Sequence, residues 1–391
     1  MEDLLKPDNT FKKAAEELVS PSDTQTQKAR KIYTAIMRLE NLDYLPEKTK
    51  AERKKEKIKD LNSLDDVWNQ QRGRSDDIAL VFIAICRAAG LDVSPMKVVD
   101  RSRALYDEGF LSIGQFDDYI AVAELDGKEI YLDPGQKMCP FGLLHWRHTV
   151  SAGMRLKDLV ASIAYTPNGN YKSTAISRIA DLMVSSSGVL QGQIRIVLTG
   201  QEALHWRQLM LKNGESEVKR QFNDWEKEFL PEGVQGELDH FVGMEDYESN
   251  LLATINVTGT LGTATGKRLF LPGLFFRVRA KHPFATQQDR KVAIDVHFPC
   301  VVSDDVTFHL PAGFIVESGP QTGTVNWETF AQFKIKTTPA ADSINVVRTL
   351  AYGYTILGAN DYAGLHGFYQ KVATADQQQV VLTRTPTAKA N

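Results

Sequence analysis

Apolar side chains surround the chain on every side from Ala79 to Cys86, with no polar residue among them. That pattern predicts a central helix buried all round. Asp76 and Asp77 fall in its first turn, where carboxylates suit the helix dipole. Ser75 reads as its N-cap and Gly90 as the residue that closes it. Upstream, Ala14, Ala15 and Leu18 suggest a short helix within residues 1–20. Pro21-Ser22-Asp23 reads as a turn. Ala29, Ile32, Tyr33 and Ile36 then recur at helical spacing between Thr24 and Leu39. Ser63-Leu64-Asp65-Asp66 opens another short helix through Trp68, which Arg72-Gly73 breaks.

Beyond Gly90 the period changes from helical to alternating. Val93–Val99 is a candidate strand. Tyr119–Leu125 alternates and leads into Asp126-Gly127, a hairpin signal. Lys128–Leu132 returns and stops at Asp133-Pro134-Gly135. Residues 24–150 therefore read as an α+β domain of helices plus a small antiparallel sheet, preceded by a helix and linker over 1–23. Residues 151–175 read as a linker. From Ile176 the texture is β: 181–185, 189–198, 251–261, 292–302 and 306–310 are strand-like. Trp206, Leu209, Phe222, Trp225 and Phe229 mark a helical insertion near 201–230. Further strands are expected at 314–318, 327–336 and 343–350, a helix at 360–374 and a last strand at 377–383. Residues 386–391 look like a loose tail. The expected second part is thus a mainly β domain over 176–391.

Composition narrows the picture. The 391 residues carry a formal net charge of −3, with 42% hydrophobic and 24% charged residues. No global basic field draws in nucleic acid. The charge run at 47–59 interleaves Glu47, Glu52 and Glu56 with its bases and holds no aromatic, so it reads as a solvated face. No apolar run reaches the length of a membrane span. Met1-Glu2-Asp3 begins no secretion signal. Cys86, Cys139 and Cys300 are too few, and odd in number, for a disulfide framework. No metal-ligand spacing and no cofactor motif is apparent, so neither a metal nor a cofactor is expected.

An ordered series of motifs carries a resemblance. Val67-Trp68, then Arg72-Gly73-Arg74-Ser75-Asp76-Asp77-Ile78-Ala79, then Cys86-Arg87-Ala88-Ala89-Gly90-Leu91 come first. Gln115-Phe116-Asp117-Asp118-Tyr119-Ile120, Asp126-Gly127-Lys128 and Tyr131-Leu132-Asp133-Pro134-Gly135 follow. Together they resemble the transglutaminase-like, papain-like domain of large bacterial proteins of unknown function. The remainder resembles the β-rich region that follows that domain. Such proteins usually carry a further N-terminal β domain and are exported in Gram-negative bacteria. The resemblance therefore implies a piece of a longer protein and a periplasmic or envelope location.

Active members place a Cys at the helix start, a His on the next strand and an Asp one strand later. By position, this chain offers Ser75, Asp118 and Asp133. A helix dipole supplies about 0.3–2 kcal/mol, roughly one pKa unit, which does not turn a serine into an alkoxide at neutral pH. Asp76 and Asp77 oppose deprotonation further. The resemblance thus implies a degenerate triad and a catalytically inactive domain. It would bind protein or peptide, but not nucleic acid, in the old cleft. Trp68, Arg72, Arg74, Asp76 and Asp117 would line that cleft, along with His145 and His148. The rival expectation is a hydrolase or acyltransferase in which Ser75 is served by His145 or His148. A third is a cation held by Asp118 and Asp133.

Overall fold

The structure, a computed structural model, describes residues 5–385 except 7, 56–58, 111, 277–283 and 286–288. The loose tail expected at 386–391 lies outside the described residues. The chain divides into two compact units. The first comprises residues 1–169 with the short segments Arg207–Lys212 and Asp246–Glu248, and the second comprises the rest.

In the first unit five helices precede most of the sheet: α1 (Asn9–Leu18), α2 (Gln25–Ile36), α3 (Lys50–Lys55), α4 (Leu64–Gln70) and α5 (Ser75–Ala88). Two short strands, β1 (Glu40–Asn41) and β2 (Arg72–Gly73), pair in parallel. As the all-round apolar pattern requires, α5 is the centre. Ile78 through Cys86 are buried without a break, at about 1.5–3 kcal/mol for each large side chain. Just past Ala89, Gly90 takes φ +78° and ends the helix, with Leu91 N–H donating to Cys86 O at 3.0 Å. α1, α2 and α4 pack on α5, and Phe11, Ile32, Tyr33 and Val67 join its core.

On the other side of α5 lies an antiparallel sheet of order β5-β4-β3-β6-β7. Its strands are β3 (Asp92–Val98), β4 (Asp118–Leu125), β5 (Lys128–Leu132), β6 (Ala152–Lys157) and β7 (Val160–Tyr165). The last two correct the expectation of a linker over 151–175: residues 152–165 of this segment form a hairpin that completes the sheet. Its two-residue turn places Asp158 at φ 50° and Leu159 at φ 63°.

The second unit is mainly β. Its elements are β8 (Ala175–Val184), β9 (Val189–Leu198), α6 (Gly200–Asn213, whose last turns count with the first unit), α7 (Glu215–Lys227), β10 (Val234–Val242) and β11 (Leu251–Thr260). There follow β12 (Thr263–Thr265), β13 (Arg268–Pro272), β14 (Ile294–Asp295), β15 (Cys300–His309), β16 (Phe314–Ser318), β17 (Gly323–Trp327), β18 (Ala331–Pro339), β19 (Ser343–Tyr352), β20 (Ile356–Leu357), α8 (Tyr362–Asp376) and β21 (Gln379–Arg384). Eight strands form one sheet, β10-β11-β9-β8-β15-β19-β18-β17, antiparallel except where β8 meets β15. Four more form a second sheet, β12-β13-β21-β16. Buried charge is paired in the large sheet: Arg178 Nε meets Asp304 Oδ1 at 2.7 Å, its guanidinium packed over Phe229 and Phe276. One exception is Glu226 on α7, fully buried with neither carboxylate oxygen hydrogen-bonded among the described residues.

Candidate functional site

Ser75 is the first residue of α5, not its cap. Arg74 occupies the cap position and supplies no side-chain capping bond. The capping is done from a distance. Asp43, in the 3-10 turn Leu42–Tyr44, accepts Ser75 N–H at 2.8 Å and pairs with Arg74 at 3.2 Å. The Ser75 hydroxyl faces Asn41, whose Nδ2 donates to Ser75 Oγ at 3.2 Å and to Gly135 O at 2.9 Å. Asn41 is buried, so both acceptors are fixed in place. Gly135 lies directly on the start of the helix: a β-carbon there would come within 2.6 Å of Ser75 O.

The loop after β5 is held from below. Tyr33 Oη donates to Cys139 O at 3.0 Å and to Asp133 O at 3.3 Å. Tyr44 Oη donates to Gln136 Oε1 at 2.9 Å, and Lys137 Nζ to Leu39 O at 2.8 Å. This loop carries Asp133 and delivers the 3-10 turn Trp146–His148 over the ends of β4 and β5. There, His148 is clamped at both nitrogens. Its Nδ1 lies 2.7 Å from Asp133 Oδ2 and its Nε2 lies 3.0 Å from Asp118 Oδ2. Asp133 Oδ2 also accepts His145 N–H at 3.0 Å, while the buried Oδ1 has no hydrogen-bond partner among the described residues.

Two carboxylate acceptors on one ring require two N–H donors, so the geometry selects the imidazolium. His148 is wholly buried. Burial alone would lower its pKa, but the charges of Asp133 and Asp118 and their hydrogen bonds outweigh it and lift it to about 10. Asp118 is shifted the other way. Burial tends to raise it, yet the bond to His148 and the charges of His148, Arg147 and Arg103 hold it below the usual carboxylate range. At neutral pH His148 is therefore a cation with no lone pair to accept a proton. Among the described residues no hydrogen bond joins Ser75 Oγ to an imidazole.

The remaining expected residues are placed as follows. Asp76 Oδ1 accepts Tyr119 N–H at 2.9 Å, tying the first turn of α5 to β4, and burial raises its pKa. Asp117 accepts Asp100 N–H at 2.9 Å and pairs with Arg103. Trp68 packs half-buried against the helical core. Arg72 pairs with Glu40 at 3.5 Å, and Arg74 with Asp43 and Glu47, so neither partners Asp118. His145 caps the 3-10 turn, accepting Arg147 N–H at 3.3 Å. Among the described residues no group of three or more His, Cys, Asp or Glu is arranged to hold a metal ion. Asn41 and Asp43 were not singled out from the sequence. Their only signal is the Asx turn of Asn41-Leu42-Asp43, in which Asn41 Oδ1 accepts Asp43 N–H.

A central helix whose N-terminus faces the ends of an antiparallel sheet, with Ser75, Asp118 and Asp133 brought to that junction, is the papain-like arrangement. The comparisons agree on the transglutaminase-like fold of this part of the chain. Residues 12–103 match the model of the transglutaminase-like superfamily, and residues 267–382 match a "Domain of Unknown Function with solved-structure structure (DUF3858)". The chain carries a transglutaminase-like domain followed by a DUF3858 domain. Its structure resembles the crystal structure of a "putative protease" from Parabacteroides distasonis ATCC 8503, with a TM-score of 0.52 and 13% identity. That likeness covers 98% of this chain and 57% of the other, and at such identity it shows the fold alone. No curated protein matches the sequence. The first matched region includes Ser75 but ends before Asp118, Asp133 and His148.

Proposed function

We propose that the transglutaminase-like domain is catalytically inactive and serves as a peptide- or protein-binding module of the bacterial cell envelope. One observation carries the first half of this reading: the imidazole that enters the site is used up as a cation between Asp118 and Asp133, while Ser75 Oγ is engaged by Asn41. Activation of a serine by histidine needs a neutral imidazole within about 2.6–3.2 Å of the hydroxyl. The rival serine hydrolase with His148 as base would need that ring to lose its proton and leave two carboxylates, both against its raised pKa, and with His145 as base it would need the ring whose Nδ1 accepts Arg147 N–H. Support for the second half comes from the open pocket beside the start of α5, which Arg72 and Arg74 line. The envelope location rests on the resemblance set out above.

A serine-directed fluorophosphonate probe between pH 6 and 9 is the test. The expected result is no labelling of Ser75, and no difference between wild type and Ser75→Ala in hydrolysis of casein or deamidation of glutamine peptides. Labelling, or turnover that disappears in Ser75→Ala, overturns the reading.

A further inference from the structure

A pocket of about 510 Å³ opens in the first unit one residue from Ser75, within the size range of small-ligand sites. Leu42, Leu45, Pro46 and Leu61 supply its apolar lining. Its charged lining is unbalanced: Lys48, Lys59, Arg72 and Arg74 against Glu47 and Asp60. Arg72 stands apart from the exposed bases. Its side chain is only 15% exposed, its one ion pair is the 3.5 Å contact with Glu40, and its guanidinium makes no hydrogen bond among the described residues. A guanidinium held in a wall with its fork unspent is the group that takes a carboxylate through two parallel bonds. Arg74 shares Asp43 with the backbone N–H of Ser75, so the pocket rim and the start of α5 are joined through a single carboxylate.

We propose that this pocket is a specificity subsite for an acidic side chain of a bound peptide, with an apolar neighbour of that residue resting on the leucines. The inference rests on the peptide-binding reading. Arg72 receives the carboxylate, Arg74, Lys48 and Lys59 supply the surrounding positive potential, and the apolar lining removes the contact from water. Like-charged peptides are rejected by the same four cations.

The experiment uses the full chain and three fluorescein-labelled, end-capped octapeptides that alternate Leu with Glu, Gln or Lys, with fluorescence anisotropy as the readout. The Glu peptide is expected to bind about tenfold tighter than the Gln peptide, the scale of one charge-assisted bond, and the Lys peptide weakest. The preference should fall to near unity in Arg72→Gln and be recovered only in part by Arg72→Lys, which keeps the charge and loses the fork. Arg74→Gln, at an exposed position, should weaken Glu-peptide binding even if Arg72→Gln fails to fold. Equal binding of the Glu and Gln peptides overturns the subsite and leaves the peptide-binding reading standing. A preference unchanged in both Arg72→Gln and Arg74→Gln also overturns the subsite. Failure of all three peptides to bind overturns the subsite together with the peptide-binding reading.

Discussion

His148 titrates in the direction opposite to an ordinary buried histidine. Its folded pKa, about 10, lies above the ordinary imidazole value of 6.5. Its contribution to stability is therefore fully present below about pH 6.5 and fades as pH rises towards 10. Asp118, depressed by the same contact, contributes above its ordinary value and loses that contribution as pH falls below it. Removing one partner of a buried ion cluster leaves the others uncompensated, so His148→Asn should destabilise the first unit by about 3–5 kcal/mol at pH 6. Urea unfolding at pH 6 and pH 10 checks both statements, since the penalty should shrink at the higher pH. Glu226 in the second unit has the same sign as His148, from burial in place of ion pairing. Burial lifts it to about 7, against a small opposing effect of Lys227, and Glu237 pushes it further up. The folded state then holds its proton more tightly than the unfolded chain, so stability falls between about pH 4.5 and 7. Glu226→Leu should remove that slope and gain about 1–3 kcal/mol at neutral pH, the cost of an unsatisfied buried polar group. Thermal melts across pH 4–8 would show it.

Elements were legible where they announce themselves locally. The apolar run of α5 and the Asp126-Gly127 hairpin are strong short-range signals, and both elements are present. The β6–β7 hairpin gave no such sign. Its turn puts Asp158 and Leu159 at positive φ, a conformation that normally calls for Asn-Gly, so the sequence reads as plain connection. A leucine held left-handed costs about 1–2 kcal/mol, and Leu159 is 80% exposed, so its side chain returns little packing. Leu159→Gly should therefore stabilise the protein by about 1 kcal/mol, measured as an upward shift of the urea midpoint without a change of slope. The candidate site was legible by halves for a related reason. Ser75, Asp118 and Asp133 follow from order along the chain. His148 was also named from the sequence, but not its place between Asp118 and Asp133, and Asn41 and Asp43 were not named; where these turns go depends on how the loop after β5 is pinned by Tyr33, Tyr44 and Lys137, and no periodicity reports that. The same distance effect displaced the expected cap, because Asp43 reaches Ser75 N–H from 32 residues away.

At the scale of the whole molecule, the change of texture near residue 175 separated a mixed α+β part from a β-rich part, and the two units divide at Asn170. What the pattern could not show is that the division is not a single cut, since two short later segments count with the first unit. The three cysteines are distributed across this division: Cys86 and Cys139 in the first unit, Cys300 in the second, all free and buried. Burial pushes the first two thiols well up and Cys300 up to about 12, so none offers a thiolate in the native state. The chain thus carries its own clocks. A pulse of iodoacetamide should leave the native protein unmarked, and along a denaturant series mass spectrometry of the peptides would date the opening of each unit by its own sulfur. Marks that appear on Cys86 and Cys300 at different denaturant concentrations would make the units independent in folding, and marks that appear together would make them one cooperative body.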